Sequence, residues 1–466
     1  MREQYKYQKT LISPGIFRAY DIRGLVGSQL TDDVFYTLGS VIAIRLQALA
    51  RASIYVARDG RLSSERFACA LIRGLLDSGV DVLDLGAVAT PVMYYATHQL
   101  GIDSGLMVTG SHNPAEYNGL KMVLAGTTLA HADIEMIRDL ADSGKMMHGE
   151  GTYRLQDMMP SYLQRILQDV RLKRSLKVVV DCGNGIAGAT IPRALTDLGC
   201  EVIPLYCEVD GRFPNHHPDP TVEENLVDLR QCVERYQADL GLAFDGDADR
   251  LGIITDQGEI IWPDRLMMLL SKAILERNQG ATIVFDVKCS KHLSEVIESA
   301  GGVAKMCPTG HSVVKRIMKE ENAALAGEMS GHIFFKDRWY GFDDALYSAC
   351  RLLEIISQSS QTISEQFSVI PNSVNTPELK IPISEEEKFG FMQRFIEQSR
   401  FQDGRLIRID GLRVEFSNGW GLIRASNTTP CLVLRFEAEN LATLASIQAT
   451  FKAELLSLNR ALQIPF

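Results

Sequence analysis

Four short stretches of this 466-residue chain gather groups suited to a phosphate, a metal ion and a sugar. The first is Thr109-Gly110-Ser111-His112-Asn113-Pro114, directly after the apolar run Gly105-Leu106-Met107-Val108. Asn113-Pro114 stops a helix, because proline pushes the residue before it out of the α region. Ser111 is therefore expected on a tight loop at the mouth of a sheet, where Gly110 lets another group approach the backbone. Taken alone, the hexapeptide reads more readily as a polar turn in which Ser111 and Asn113 bond nearby backbone. The second stretch is Asp245-Gly246-Asp247-Ala248-Asp249-Arg250, between apolar segments at 240–244 and 251–254. Three carboxylates at alternate positions repel one another unless a cation sits among them. The small spacers let them converge, and oxygen-only ligands suit a hard divalent ion such as Mg²⁺. A calcium-loop reading fails, because its glycine and glutamate positions hold Arg250 and Asp256. Arg250 is placed to contact a phosphate oxygen.

The third stretch, Gly327-Glu328-Met329-Ser330-Gly331-His332, follows apolar 323–326 and mixes the donors and acceptors that sugar hydroxyls need. The fourth, Arg424-Ala425-Ser426-Asn427-Thr428-Thr429-Pro430, could surround a phosphate with a guanidinium, hydroxyls and an amide. Lys288, after a strand ending in Asp286, and His311, after another, add two weaker candidates at the strand ends where ligands collect in open α/β sheets. No GxxxxGK[ST] loop is present, so nucleotide binding by that motif is not supported.

One pattern positions these loops. An apolar strand ends in an aspartate turn, an amphipathic helix follows, then glycine and a second strand. It recurs from Ser53, from Lys177 and from Thr282, too far apart for a solenoid. Alternating strands and helices predict three tandem α/β domains. The last ~95 residues lack the signature. Strand-like 374–380 and 432–437, with helical stretches near 384–399 and 441–459, predict a fourth, α+β domain. The expected boundaries are 1–157, 158–258, 259–370 and 371–466, as packed domains with limited hinge motion.

The net charge of −10 disfavours a nucleic-acid partner. No stretch has the length of a membrane span, and Met1–Tyr7 lacks a signal peptide's apolar core. Nine cysteines without CxxC spacing suggest reduced thiols in the cytoplasm.

Together and in this order, the loops resemble those of the α-D-phosphohexomutases, especially the bacterial phosphomannomutase/phosphoglucomutase branch. The resemblance runs from Phe17-Arg18-Ala19-Tyr20-Asp21-Ile22-Arg23-Gly24 to 424–430, with no departure at a motif position. It implies four domains around a central cleft, with Ser111 as a phosphoserine. Asp245, Asp247 and Asp249 would hold Mg²⁺ together with a phosphoserine oxygen. Glu328 and Ser330 would grip the sugar, and Arg424, Ser426, Asn427 and Thr428 its non-reacting phosphate. Tyr20, Arg23, His112, Lys121, Arg250, Lys288, His311 and His332 would line the cleft. Among them Arg23 and Arg250 would assist transfer, and Lys121 and His332 would move protons. The implied reaction interconverts hexose 1- and 6-phosphates through a hexose 1,6-bisphosphate, with glucose 1,6-bisphosphate as activator, in a monomer. Met329 resembles the mannose/glucose branch. The glucosamine branch typically has glutamine there, so a phosphoglucosamine mutase is the nearest alternative, ahead of a phosphatase or a non-catalytic phosphosugar-binding protein.

Overall fold

The computed structural model describes residues 7–99, 101–426 and 429–466. Three α/β domains and a C-terminal α+β domain follow one another, as the repeats predict. The repeat is longer than the sequence pattern reveals. In the first domain the strand Ser53–Arg58 is central. Asp81–Ala87 pairs with it in parallel on one side and Gly105–Val108 on the other, and Gly105–Val108 pairs antiparallel with Tyr117–Leu124. The second domain repeats this order with Lys177–Asp181 at the centre, Glu201–Leu205 and Leu240–Phe244 beside it, and Leu251–Thr255 antiparallel. The third does so with Thr282–Asp286, Val303–Cys307, Leu325–Gly327 and Ile333–Phe335.

Each parallel step is bridged by a helix, such as Ser64–Asp77, Ile191–Leu198 and Lys291–Ser299 for the first step of each domain. A parallel pair needs such a crossover, whereas the antiparallel fourth strand needs only a short connection. That short connection is the serine loop in the first domain, the acidic loop in the second and the Glu328 loop in the third. Three of the four loops thus occupy one structural position.

The fourth domain is an antiparallel sheet in which Cys431–Ala438 pairs with Gly419–Ala425, and Gly419–Ala425 with Leu412–Phe416. Lys388–Gln398 and Leu441–Leu458 are its helices. The predicted strand 374–380 is split into Val374–Asn375 and Leu379–Pro382, because Pro377 has no N–H for the ladder. The helix expected from 384 begins at Lys388, because Ser384 Oγ accepts from Glu387 N and closes a turn first.

One apolar core runs continuously from Tyr55 through the second domain to Ile370, joining the first three domains. The fourth has its own core around Phe395, Phe436 and Phe451. A three-residue apolar patch and several polar contacts join it to the third. Val287, Trp420 and Leu422 form an apolar patch. Buried Arg413 donates to the carbonyls of Val287 (2.8 Å) and Cys289 (2.7 Å) while lying over the Trp420 ring. Arg435 reaches Asp264 at 3.4 Å. No helix among the described residues is long and apolar enough to cross a membrane.

Candidate active site

Ser111 has φ +50°, in the left-handed region where a side chain costs about 1–3 kcal/mol. Arg61 holds it there. This guanidinium is buried, and it donates to the carbonyls of Ser111 (2.7 Å), Asn113 (2.5 Å), Pro114 (2.6 Å) and Tyr117 (3.0 Å). Asp59 balances its charge at 3.3 Å. A Cβ on Gly110 would stand 2.6 Å from Arg61, so the approach expected at this glycine is real, and the approaching group is Arg61. Arg23 adds a bond to the Gly110 carbonyl at 3.0 Å and touches the Asn113 and Asp21 side chains. Ser111 Oγ lies 3.2 Å from Asp245 Oδ2 and 3.3 Å from His112 Nδ1. Burial, with Arg250 and Arg23 nearby, keeps the His112 imidazole well below its usual pKa.

The acidic loop meets the serine loop backbone to backbone. A Cβ on Gly246 would stand 2.4 Å from the Ser111 carbonyl oxygen, so only glycine fits there. Ala248 turns the loop with φ +61°. Asp245, Asp247 and Asp249 are buried, and each offers an oxygen within 4.8 Å of the others. At an effective dielectric of ~20, each such pair repels by about 3–4 kcal/mol.

Lys121, on Tyr117–Leu124, supplies one positive charge. Its Nζ is 2.6 Å from Asp247 Oδ2 and contacts Asp249. Burial disfavours that ammonium, but Asp247 and Asp249 outweigh it and push the pKa up. Burial and its two acidic neighbours push Asp245 well above the carboxylate range. Against burial and Asp249, Lys121 holds Asp247 below that range. Asp247 Oδ1 is buried with no hydrogen-bond partner among the described residues. Three oxygen ligands and an orphaned oxygen fit a hard divalent cation, with Lys121, Arg250 and His332 as the positive groups around them.

The Glu328 loop joins the acidic loop by an isolated bridge between Arg250 and His332. His332 Nε2 is 3.3 Å from Asp249 Oδ1, and Nδ1 is 2.9 Å from Ser330 Oγ and 3.3 Å from Glu328 Oε2. Burial lowers its pKa, but Asp249 and Glu328 prevail and raise it to about 9. Glu328 Oε1 accepts from Gly310 N at 2.6 Å, and Tyr20 OH donates to the Thr309 carbonyl at 2.8 Å. His311 opens the helix His311–Glu320, its Nδ1 3.7 Å from Asp343.

In the fourth domain, Arg424 Nε pairs with Asp410 at 2.9 Å, and Asp410 also accepts from Thr309 Oγ1 at 2.7 Å. Lys288 pairs with Glu378 at 2.8 Å and holds that carboxyl down to about 2. Ser426 Oγ lies 2.8 Å from Thr429 Oγ1. Asn427 and Thr428 lie outside the described residues.

The first three loops are thus in direct contact, and Thr309 and Asp410 tie the fourth to them. Sequence reasoning missed Arg61, Thr90, Asp343 and Asp410. Thr90 Oγ1 donates to Asp247 at 2.5 Å, and Lys315 anchors Asp343 at 2.7 Å. Arg61 had a signal, since it lies two residues past the Asp59 that ends the first repeat's strand.

Comparison with known proteins gives the family. Family models for phosphoglucomutase/phosphomannomutase α/β/α domains I, II and III match residues 14–147, 160–258 and 262–373, and the C-terminal domain model matches 378–454. A Pseudomonas aeruginosa phosphomannomutase/phosphoglucomutase is 49% identical over 451 residues, covering 97% of each chain. A Neisseria gonorrhoeae phosphoglucomutase is 47% identical, covering 96% of this chain and 98% of its own. The crystal structure of a phosphoglucomutase/phosphomannomutase family protein from Burkholderia thailandensis superposes with a TM-score of 0.94 at 44% identity, covering 98% of this chain and all of the other.

Proposed function

Because the chain belongs to the phosphoglucomutase/phosphomannomutase family, we propose that Ser111 carries the phosphoryl group with which this isomerase interconverts hexose 1- and 6-phosphates. The observation that supports this role is the meeting of Ser111 Oγ with Asp245 at 3.2 Å, where three equivalent loops converge. In the forward half-reaction a phosphate on Ser111 passes to the free hydroxyl of the bound sugar phosphate, giving a hexose 1,6-bisphosphate. After the sugar turns around, its other phosphate returns to Ser111. Glucose 1,6-bisphosphate would activate by phosphorylating Ser111 directly.

Arg23 and Arg250 bring fixed positive charge to the transferring group, the larger part of catalysis in such reactions. In each half-reaction the attacking hydroxyl loses a proton and the departing oxygen gains one. Lys121 and His332, both against Asp249, are suited to take the first and supply the second. Glu328 and Ser330 present acceptors to the sugar ring. Arg424, Lys288 and the 426–429 loop hold the distal phosphate, which displaces Asp410 and Glu378 as their counter-charges. Mg²⁺, held by Asp245, Asp247, Asp249 and a phosphoserine oxygen, would neutralise charge on the transferring phosphoryl group.

Mutase rates on mannose, glucose and glucosamine 1-phosphates test this reading. Turnover of the first two with Mg²⁺ and a trace of glucose 1,6-bisphosphate is expected. Preference for glucosamine would transfer the enzyme to the alternative branch, and release of free phosphate without isomerisation would make it a phosphatase.

Two variants probe the site. Asp247→Ala removes an oxygen ligand and one of the two carboxylates on Lys121, so kcat falls ~10²–10³-fold, the scale of losing one preorganised charge. The Mg²⁺ concentration for half-maximal activity rises with it, and an unchanged Mg²⁺ dependence would remove Asp247 from the metal site. Arg424→Ala raises KM for the sugar phosphate by ~10-fold or more, the scale of one lost charge-assisted bond. A change confined to melting temperature would make that arginine structural.

A further inference from the structure

Cys182 directly follows the central strand Lys177–Asp181, and Cys207 lies two residues past the neighbouring strand Glu201–Leu205. Their sulfurs are 3.5 Å apart. Cys182 is buried, whereas Cys207 is partly exposed to solvent. From this contact we propose that the two thiols form a reversible disulfide on exposure to a peroxide, and that its closure slows the mutase.

The chemistry follows from the pair itself. The hydrogen bond between the sulfurs favours the thiolate on Cys207, while burial and that bond push the Cys182 thiol well up. The thiolate, not the thiol, is the nucleophile. Cys207 sulfur attacks one peroxide oxygen. An S–O bond forms as the O–O bond breaks, and the leaving hydroxide takes a proton to become water. Cys182 sulfur then attacks the resulting sulfenic acid. The S–S bond forms as the S–O bond breaks, and the oxygen leaves as a second water with the proton of Cys182. Both sulfurs are oxidised, and both peroxide oxygens are reduced.

The connection to turnover is structural. The segment beginning at Cys182 is stitched to the one containing Cys207. Asn184 N donates to the Tyr206 carbonyl at 2.8 Å and Asn184 Nδ2 to the Glu208 carbonyl at 2.8 Å. The same segment carries the acidic loop, because Ile186 N donates to the Gly246 carbonyl at 3.2 Å. Gly246 stands between Asp245 and Asp247 and against the Ser111 carbonyl. Contact between the sulfurs becomes a covalent bond at about 2 Å, so both segments shift and Gly246 shifts with them.

This effect on turnover rests on the proposed function, and the rate of the reduced enzyme tests that reading separately. Full-length protein is treated with hydrogen peroxide, alkylated and mapped by mass spectrometry without reduction, and mutase rates are measured in parallel. The expected result is one cross-linked peptide pair containing Cys182 and Cys207, with a several-fold fall in kcat that dithiothreitol restores. Cys207→Ser and Cys207→Ala keep the basal rate and lose the peroxide response. Peroxide-treated wild type whose two sulfurs still react with alkylating agent overturns the proposal. So does a disulfide that leaves kcat at the reduced rate.

Discussion

Replacing Ser111 by alanine lowers kcat at least ~10⁴-fold, the scale on which a missing covalent nucleophile is felt. The fold survives, because Oγ makes only local contacts with Asp245 and His112, while the loop is held through its main chain. Relief of buried polar crowding around Asp245 leaves melting temperature unchanged or slightly raised. Two measurements check this. Conversion of glucose 1-phosphate to glucose 6-phosphate collapses, and intact mass shows a phosphate on the wild type that the variant lacks. Turnover near the wild-type rate would sink the phosphoserine role, however well the loops converge.

Arg61 is expected to have the second largest effect, although it touches no substrate. Arg61→Ala removes the guanidinium from four carbonyls and leaves the buried Asp59 carboxylate without its counter-charge, although Ser64 Oγ and Gly110 N still donate to it. Breaking such a buried pair costs about 3–5 kcal/mol. Arg61→Lys separates positioning from stability. It keeps the charge opposite Asp59, but one ammonium cannot reproduce a fork serving four carbonyls. The lysine variant folds and loses ~10²-fold in kcat, the scale of a misplaced reacting group. KM for the sugar phosphate changes little, because Arg424 and Glu328 are untouched. Calorimetry and steady-state kinetics on both variants check this. Wild-type kcat in Arg61→Lys would show that the Ser111 backbone holds its strained conformation without the fork.

The acidic triplet was legible because its signal is local. Three carboxylates with small spacers between apolar strands state their own need for a cation, and the strands Leu240–Phe244 and Leu251–Thr255 lie where the apolar flanks predict them. The Ser111 loop was legible for a similar reason, since proline and glycine act on the residues beside them. For Arg61 only its place just past the first repeat's strand was legible, because its role depends on carbonyls some fifty residues away. Nothing in the sequence around an arginine says that its guanidinium will be buried against main chain. Asp410 and Asp343 escaped for the same reason. The start of the helix at Lys388 and the break at Pro377 were local details, set by the turn that Ser384 closes and by the N–H that Pro377 lacks.

By itself the sequence determined the chemistry available to this protein: a hydroxyl, a carboxylate triplet, a sugar-binding loop and a phosphate-binding loop, on three α/β repeats and a distinct C-terminal domain. Those properties follow from residue types and from periodicities of two and 3.6, which are carried by neighbours in the chain. Only the tertiary structure decided that three of the loops are one connection, the turn from the third parallel strand into an antiparallel fourth. It also decided that Gly246 lies on the Ser111 carbonyl and that Lys121 joins Asp247 and Asp249 from another domain. These are contacts between residues more than a hundred positions apart. They are set by how sheets stack on a shared core, and no local pattern encodes that.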